Sequence, residues 1–288
     1  VLVSSLAGGL LALGLTLPLA WKWELGVRRV AIAVGGLAIV SAAAVAALGG
    51  AIDLSAVVQA LLVAGLTLAA AFAILAYRFY RDPERTPPQV GDDAVISPAD
   101  GEVIYVRHSQ GGKLPSSTKK GRDYELVELT KTPLRHEDAI VIGIAMSFLD
   151  VHVNRAPIAG RVRLRKHFPG RFGSLGRPEM VYENERATTV IERGDMEIAM
   201  VQIASRLVRQ IASYVKVDEE VALGQRVGVI RLGSQVDVVL PARPDVTIQV
   251  REGQRVRAGE SVLAHLAPAP GAGDVASAQH RGLLGEPE

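Results

Sequence analysis

The sequence predicts two or three membrane-spanning helices followed by a mainly β domain, and three observations carry that prediction. Residues 1–20, 30–52 and 54–77 contain no charged side chain, and each is close to the ~20 apolar residues that cross a bilayer as a helix. Beyond residue 77 the pattern changes to short β-branched runs separated by turns that carry Gly and Pro, the signature of strands. The third observation is the stretch 246–266, which reads as strand, Glu-Gly turn, Ala-Gly-Glu turn and strand. The expected division is a membrane anchor with a basic exit linker over 1–88, a β-rich domain over 89–267 and a flexible tail over 268–288.

Composition narrows the chemistry. The 288 residues carry a formal net charge of only +2, which offers no global field for nucleic acid. Cysteine is absent, so disulfides, thiolate nucleophiles and Cys-based zinc sites are excluded. Any general base must come from the six histidines or from carboxylates. No second His stands at ligand spacing from His152, so no metal is expected.

In chain order, the first apolar stretch is rich in Gly and contains Pro18; an uncleaved signal-like segment is its alternative reading. Trp21 and Trp23 occupy the place of an interfacial aromatic belt. Lys22, Arg28 and Arg29 lie between the first two stretches, whereas only Asp53 lies between the second and third. The positive-inside rule therefore sets the first connector and everything after Tyr77 on the cytoplasmic side of the cell membrane. Arg78 to Pro88 is basic, aromatic and interrupted by proline, so the last helix is expected to stop near Asp82, ahead of Pro83.

The β-rich region opens with Ser97-Pro98-Ala99-Asp100-Gly101, a turn that delivers Asp100 to the edge of an alternating strand. Ala139 to Met146 is a buried-strand run. If the chain stays extended after it, Asp150, His152 and Asn154 share one face. The stretch from His167 to Arg177 is glycine-rich and holds Phe168, Arg171, Phe172 and Leu175. Two readings stand open for it, a long hairpin connection or a loop that dips into lipid headgroups. The pattern of 246–266 resembles the barrel-sandwich modules of biotinyl and lipoyl carriers, although it holds no lysine to carry either group. Residues 101–106 and 215–229 echo that hairpin, which suggests a domain built partly from related halves.

Gly233-Ser234 lies between two β-rich runs, 227–231 and 236–240. Taken alone, a Gly-Ser pair there is an ordinary turn. In combination it means more. Phe79-Tyr80-Arg81-Asp82-Pro83-Glu84-Arg85, Ser97-Pro98-Ala99-Asp100-Gly101, Asp150-Val151-His152-Val153-Asn154-Arg155, Asn184-Glu185-Arg186 and Leu232-Gly233-Ser234 occur in this order. Together they resemble the phosphatidylserine decarboxylase proenzymes, in particular a short bacterial and archaeal branch with Arg155 where other members carry a second histidine.

The resemblance implies a membrane enzyme that makes phosphatidylethanolamine and carbon dioxide from phosphatidylserine. It also implies self-cleavage at Gly233-Ser234, which leaves a heterodimer of the two fragments, with a higher homo-oligomer as a further expectation. Ser234 Oγ would attack the Gly233 carbonyl to give an ester, and β-elimination followed by hydrolysis would leave a pyruvoyl group on residue 234. That covalent cofactor would form a Schiff base with the substrate amine and accept electrons as carbon dioxide leaves. Asp100 takes the place of the processing aspartate, and His152 is the candidate to reprotonate the carbanion. Arg155, Asn154 and Arg171 are candidates for binding the lipid headgroup. Two other classes remain compatible with the residues alone. A membrane-anchored adaptor would run as one uncut chain, and a serine hydrolase using Ser234, His152 and Asp100 would lack its usual Gly-x-Ser-x-Gly elbow.

Overall fold

The structure is a computed structural model, and it describes residues 2–23, 25–49, 54–90, 94–114, 123–205, 210–230 and 234–266. Two compact units divide the chain, one helical and one mainly β. The helical unit contains α1 (Leu2–Lys22), α2 (Val27–Gly49) and α3 (Ala56–Tyr80). At 1.5 Å of rise per residue each is about 30 Å long or more, enough to cross a bilayer. Their apolar side chains Leu2, Leu10, Ile39, Val57 and Phe72 point outward, as lipid requires. A Cβ on Gly8 would collide with the Ala60 carbonyl, so glycine lets α1 and α3 approach closely. Ser4 Oγ donates to Gln59 Oε1 across the same contact at 2.8 Å.

The observed helix limits differ from the charge-free stretches in two places. α2 starts at Val27, because Arg28 and Arg29 sit in its first turn, where long side chains can reach the polar boundary. α3 runs past Tyr77 to Tyr80 and stops where Arg81 turns extended, two residues ahead of Pro83. The short segment Ser147–Val151 belongs to this unit. Its Phe148 ring stacks on Trp23 at 5.5 Å and lies 5.2 Å from Phe79, while Arg81 Nη2 donates to the Leu149 carbonyl at 3.1 Å.

The β unit begins with β1 (Ala94–Ile96), β2 (Gly101–His108), the small pair β3 (Lys113–Leu114) and β4 (Tyr124–Glu125), helix α4 (Leu126–Thr130) and β5 (Ala139–Met146). Next come β6 (Val153–Arg155), β7 (Gly160–Phe168), α5 (Met180–Glu183), β8 (Arg186–Arg193), β9 (Met196–Ala204), β10 (Ile211–Ser213), β11 (Glu220–Val221) and β12 (Arg226–Ile230). The last strands are β13 (Ser234–Pro241), β14 (Val246–Ile248), β15 (Arg255–Val256) and β16 (Val262–Leu266). An eight-stranded sheet has the order β11-β7-β8-β9-β13-β5-β2-β15, and two three-stranded sheets read β1-β16-β14 and β6-β12-β10.

These pairings repeat. The set β1-β2-β5-β13-β14-β15-β16 and the set β6-β7-β8-β9-β10-β11-β12 pair in the same way, strand for strand, and meet where β13 joins β9. Details repeat as well. Gly101 faces Val256 as Gly160 faces Val221, and the register slips between Val103 and Tyr105 as it does between Val162 and Leu164. Ile96 N–H donates to the Pro157 carbonyl and Arg155 N–H to the Pro98 carbonyl, both at 2.9 Å, a reciprocal tie between the two halves. In the second half a tight turn at Gly194 joins β8 to β9. In the first half the whole second half is inserted at that point, between β5 and β13. Residues 231–233, including Gly233, lie outside the described residues.

Burial follows from the sheet. Ile140, Ile142 and Ile144 of β5 with Val236 and Val238 of β13 enter one apolar cluster, whereas Val141 and Val239 enter another on the opposite face. Both faces of the central strands are therefore covered, which is why 139–146 reads as a continuous apolar run instead of alternating. The glycine-rich stretch after His167 lies in the connection between the antiparallel neighbours β7 and β8. Its Leu175 packs against the second cluster, and Phe172 is exposed.

Candidate active site

Ser234 is the first residue of β13, in the middle of the eight-stranded sheet, and its backbone stands opposite Met146 on one side and Ala204 on the other. Met146 and Ser234 form the pair from which the second half leaves and to which it returns. The return is fastened to the exit, because Ile230 N–H donates to the His152 carbonyl at 3.2 Å. His152 is 2% exposed. Asp100 ends the turn before β2, and Glu102 is opposite Ala145 as Gln235 is on β5's other side. Two inter-strand steps thus separate the starts of β2 and β13, about 10 Å. The backbone brings Asp100 and Ser234 to the same end of the sheet.

The residues after Met146 do not stay extended. Ser147 to Asp150 form a turn in which Asp150 Oδ2 accepts from Ser147 N–H at 2.7 Å, the local bond that short carboxylates make with the backbone. The strand starts only at Val153, so Asp150 does not share an extended face with His152 and Asn154. Asn154 is fully buried; its Oδ1 accepts from Gln202 Nε2 at 2.8 Å, and its Nδ2 donates to the Pro98 carbonyl at 3.3 Å. Gln202, on β9, lies opposite Val236, which links β6, the strand that follows His152, to the strand that Ser234 opens.

Asp100 is held from two directions. Arg85 grips it with both guanidinium nitrogens, at 2.5 and 2.9 Å, and Ala258 N–H donates to the same carboxylate at 2.8 Å. The carboxylate raises the arginine's pKa through the hydrogen bond, against the cost of burying the guanidinium. The strap from Asp82 to Arg85 is fixed by two further arginines. Arg226 pairs with Asp82 at 2.6 Å and Glu84 at 2.7 Å, and Arg155 Nη2 donates to the Pro83 carbonyl at 2.9 Å. Arg155 is only 4% exposed, and its Nη1 donates to the Gly224 carbonyl at 2.9 Å. Its guanidinium is thus committed to two backbone carbonyls, with burial lowering its pKa.

Arg171 is exposed and pairs with Glu183 at 3.1 Å. The residue beside it that matters for geometry is Asn184, whose role motif reading did not anticipate. Its Oδ1 accepts from Gly173 N–H at 2.8 Å, and its Nδ2 donates to the carbonyls of Gly173 at 2.9 Å and Ala204 at 2.8 Å. One amide therefore ties the glycine-rich connection to the residue opposite Ser234. Arg186 is fully buried and donates to the carbonyls of Asn184 and Leu129; burial pushes its pKa down to about 10. Among the described residues no group of three or more His, Cys, Asp or Glu is arranged to hold a metal ion.

The motif residues that were scattered in sequence are linked in this unit: Arg85 to Asp100, Pro98 to Asn154 and Arg155, Asn184 to Ala204. A sequence profile described as phosphatidylserine decarboxylase matches residues 72–264, a range that holds all of them. A putative archaetidylserine decarboxylase proenzyme of Methanothermobacter thermautotrophicus is 39% identical over 199 residues, 68% of this chain and 84% of the relative. Its namesake in Methanocaldococcus jannaschii is 39% identical over 186 residues, 65% of this chain and 87% of the relative. The phosphatidylserine decarboxylase proenzyme of Ralstonia nicotianae is 38% identical over 225 residues, 76% and 92% of the two chains. By its profile match and by these relatives, the chain belongs to the phosphatidylserine decarboxylase family.

Proposed function

We propose that the chain is a membrane-bound decarboxylase that turns phosphatidylserine into phosphatidylethanolamine and carbon dioxide, after cutting its own backbone between Gly233 and Ser234. The observation that carries this reading is the position of Ser234. It opens a central strand at the point where one half of the β unit is inserted into the other, with Asp100 at the same sheet end and the His152 carbonyl bonded to Ile230. Ser234 Oγ attacks the Gly233 carbonyl and converts the amide to an ester. Loss of the Ser234 α-proton then expels the Gly233 carboxylate. Hydrolysis of the resulting dehydroalanine releases ammonia and leaves a ketone on residue 234.

That pyruvoyl group supplies an electrophilic carbonyl that takes up the substrate amine and accepts the electron pair released with carbon dioxide. The surroundings fit it: residue 234 is paired on both sides by β5 and β9, so a group on it has a fixed position. His152 returns a proton to the carbon that has lost its carboxylate, and Asp100 supplies the negative charge that steadies the base during self-cleavage. Arg155 maintains the strap through Pro83 and Gly224 instead of meeting the headgroup directly. The two fragments remain together because β13 lies between two strands of the large one. In the segment 246–266, β14 pairs with β16 in the β1-β16-β14 sheet, which makes it a structural part of the small fragment. The three apolar helices support a location at a membrane, and the flanking arginines favour a cytoplasmic β unit.

The test combines intact mass with assay of carbon dioxide release from vesicles containing a serine phospholipid. Wild-type protein should show two fragments and release carbon dioxide, Ser234→Ala one inactive chain, and His152→Ala no turnover. Turnover by an uncut wild-type chain would refute the proposal. Reporter fusions after Leu266 should be active only on the cytoplasmic side, and activity on the opposite side would refute the orientation.

A further inference from the structure

The strand that Ser234 opens carries a buried carboxylate, Asp237, where its counterpart in the second half has the apolar Ala199. Asp237 is 0% exposed. Its Oδ2 accepts from Tyr105 Oη at 2.7 Å, and its Oδ1 accepts from Gln235 Nε2 at 2.7 Å. Gln235 Nε2 also donates to Tyr105 Oη at 2.7 Å, closing a triangle. Gln235 and Asp237 are two apart on a strand and so share a face. Tyr105 reaches them from β2 across the intervening β5. A Cβ on Gly143, opposite both Tyr105 and Asp237, would fall on the Tyr105 ring. Gly143 therefore leaves the room in which a side chain spans three strands.

The internal repeat shows that the fold does not require this arrangement. The positions of Tyr105, Gly143 and Asp237 correspond to Leu164, Val190 and Ala199 in the second half, as the paired registers of the two sets define. Those three are apolar there, while Gln235 answers to Glu197, a buried carboxylate that pairs instead with Arg135 and Arg163. A buried carboxylate is a poor way to stabilise a sheet relative to apolar packing, but it discriminates strongly among strand registers, since a shifted strand strands the charge without its donors. The two halves differ in one relevant respect: β9 is continuous with β8 through a tight turn, whereas β13 follows the bond proposed to be cut.

We propose that Tyr105, Gln235 and Asp237 form a register lock that holds the newly created end of β13, and with it residue 234, at the sheet end occupied by Asp100 and His152. The inference rests on the self-cleavage reading. Before the cut, β13 is held by chain continuity as well as by its neighbours. After it, the strand is a chain terminus, the place where fraying concentrates, and its first residue bears the reacting group. Side chains one and three residues from the new end then tie it to the large fragment. These are positioning residues, acting on the chemistry through residue 234.

Tyr105→Phe removes one oxygen and keeps the ring, and Asp237→Asn keeps the shape while removing the carboxylate. Each is compared with wild type for extent of cutting, turnover per cut chain and amide exchange over residues 235–238. The same exchange is measured in the uncut Ser234→Ala background. For Tyr105→Phe, cutting should go to completion, turnover per cut chain should fall by about tenfold with KM little changed, and exchange should quicken by about tenfold in the cut form only. Asp237→Asn should act in the same direction. Equal loosening of the cut and uncut forms would reduce the network to an ordinary core contact and overturn the proposal, as would wild-type turnover and exchange in cut Tyr105→Phe. A wild-type chain that never cuts overturns the reading underneath, and the same mass spectrum shows it before any variant is compared.

Discussion

The two halves of the β unit share a backbone plan but few side chains, and the candidate site residues fall at positions where they differ. Pro98-Ala99-Asp100-Gly101-Glu102-Val103 and Pro157-Ile158-Ala159-Gly160-Arg161-Val162 make the same turn into the same strand. The first places an aspartate where the second places an alanine, and Arg85 reaches only the first. At the last residue of β1 and of β6, Ile96 answers to Arg155; Ile96 packs near Gly224 as Arg155 packs against Gly259. The same frame thus occurs twice, and the proposed site draws on the aspartate that only the first turn carries. Substitutions that make one half resemble the other test this directly.

Asp100→Ala gives the first turn the residue of the second. It leaves the Arg85 guanidinium buried without its partner, which should cost about 3–5 kcal/mol and abolish cutting. Unfolding in detergent and a gel for the cut fragments measure both. The double variant Arg85→Met/Asp100→Ala should recover most of the stability but none of the cutting. Recovery of cutting would mean that the aspartate serves packing alone.

The next effect concerns Asp237, whose counterpart Ala199 carries no charge. Burial raises its pKa from 3.8 to about 6, opposed by hydrogen bonds from Gln235 and Tyr105 and by Arg186 and Arg107. The folded state therefore binds this proton more tightly than the unfolded state. Its favourable contribution is complete below about pH 4, is lost as pH rises through 6, and totals on the order of 3 kcal/mol. Asp237→Asn should remove that part of the slope between pH 4 and 6, seen as a flatter stability curve than wild type by urea unfolding. An unchanged slope would contradict the burial of an ionisable carboxyl at this position.

Arg155→Ile copies Ile96 and removes the donors to Pro83 and Gly224, at about 1.5–3 kcal/mol. The strap at 82–85 should become susceptible to limited proteolysis while the chain still cuts. A fully protected strap would refute the clamp. Smallest of all, Arg171→Ala removes an exposed pair with Glu183 and should change stability by no more than ~1 kcal/mol. A larger loss in thermal unfolding would give this arginine a structural role that its exposure does not suggest.

Much of this plan was legible before the structure. Uninterrupted apolar length announced the helices, and Pro83 their end. The buried runs at 139–146 and 236–240 announced the two strands that meet at Ser234, while short motifs singled out Ser234, His152 and Asp100. Less visible was the nesting of one half inside the other, because pairing joins residues far apart and the halves share little beyond Pro-x-x-Gly-x-Val at Pro98 and Pro157 and Val-x-x-Gly at Val221 and Val256. That pair of spacings was the available signal. Asp150 was expected on a strand face, but its carboxylate closes a turn on Ser147. Arg155 was expected to meet the lipid headgroup, whereas two carbonyls supplied by distant segments hold it buried. The role of Asp237 was not legible, since its Tyr105 donor comes from another strand.

The most direct measurement of the central claim is the mass of the wild-type protein before and after borohydride reduction in the presence of a serine phospholipid. Self-cleavage to a ketone predicts two fragments, the smaller running from residue 234 to 288, with a blocked amino terminus and a mass gain equal to a reduced adduct of substrate or product. A single full-length species with an unmodified Ser234, under conditions where carbon dioxide is released, would contradict it.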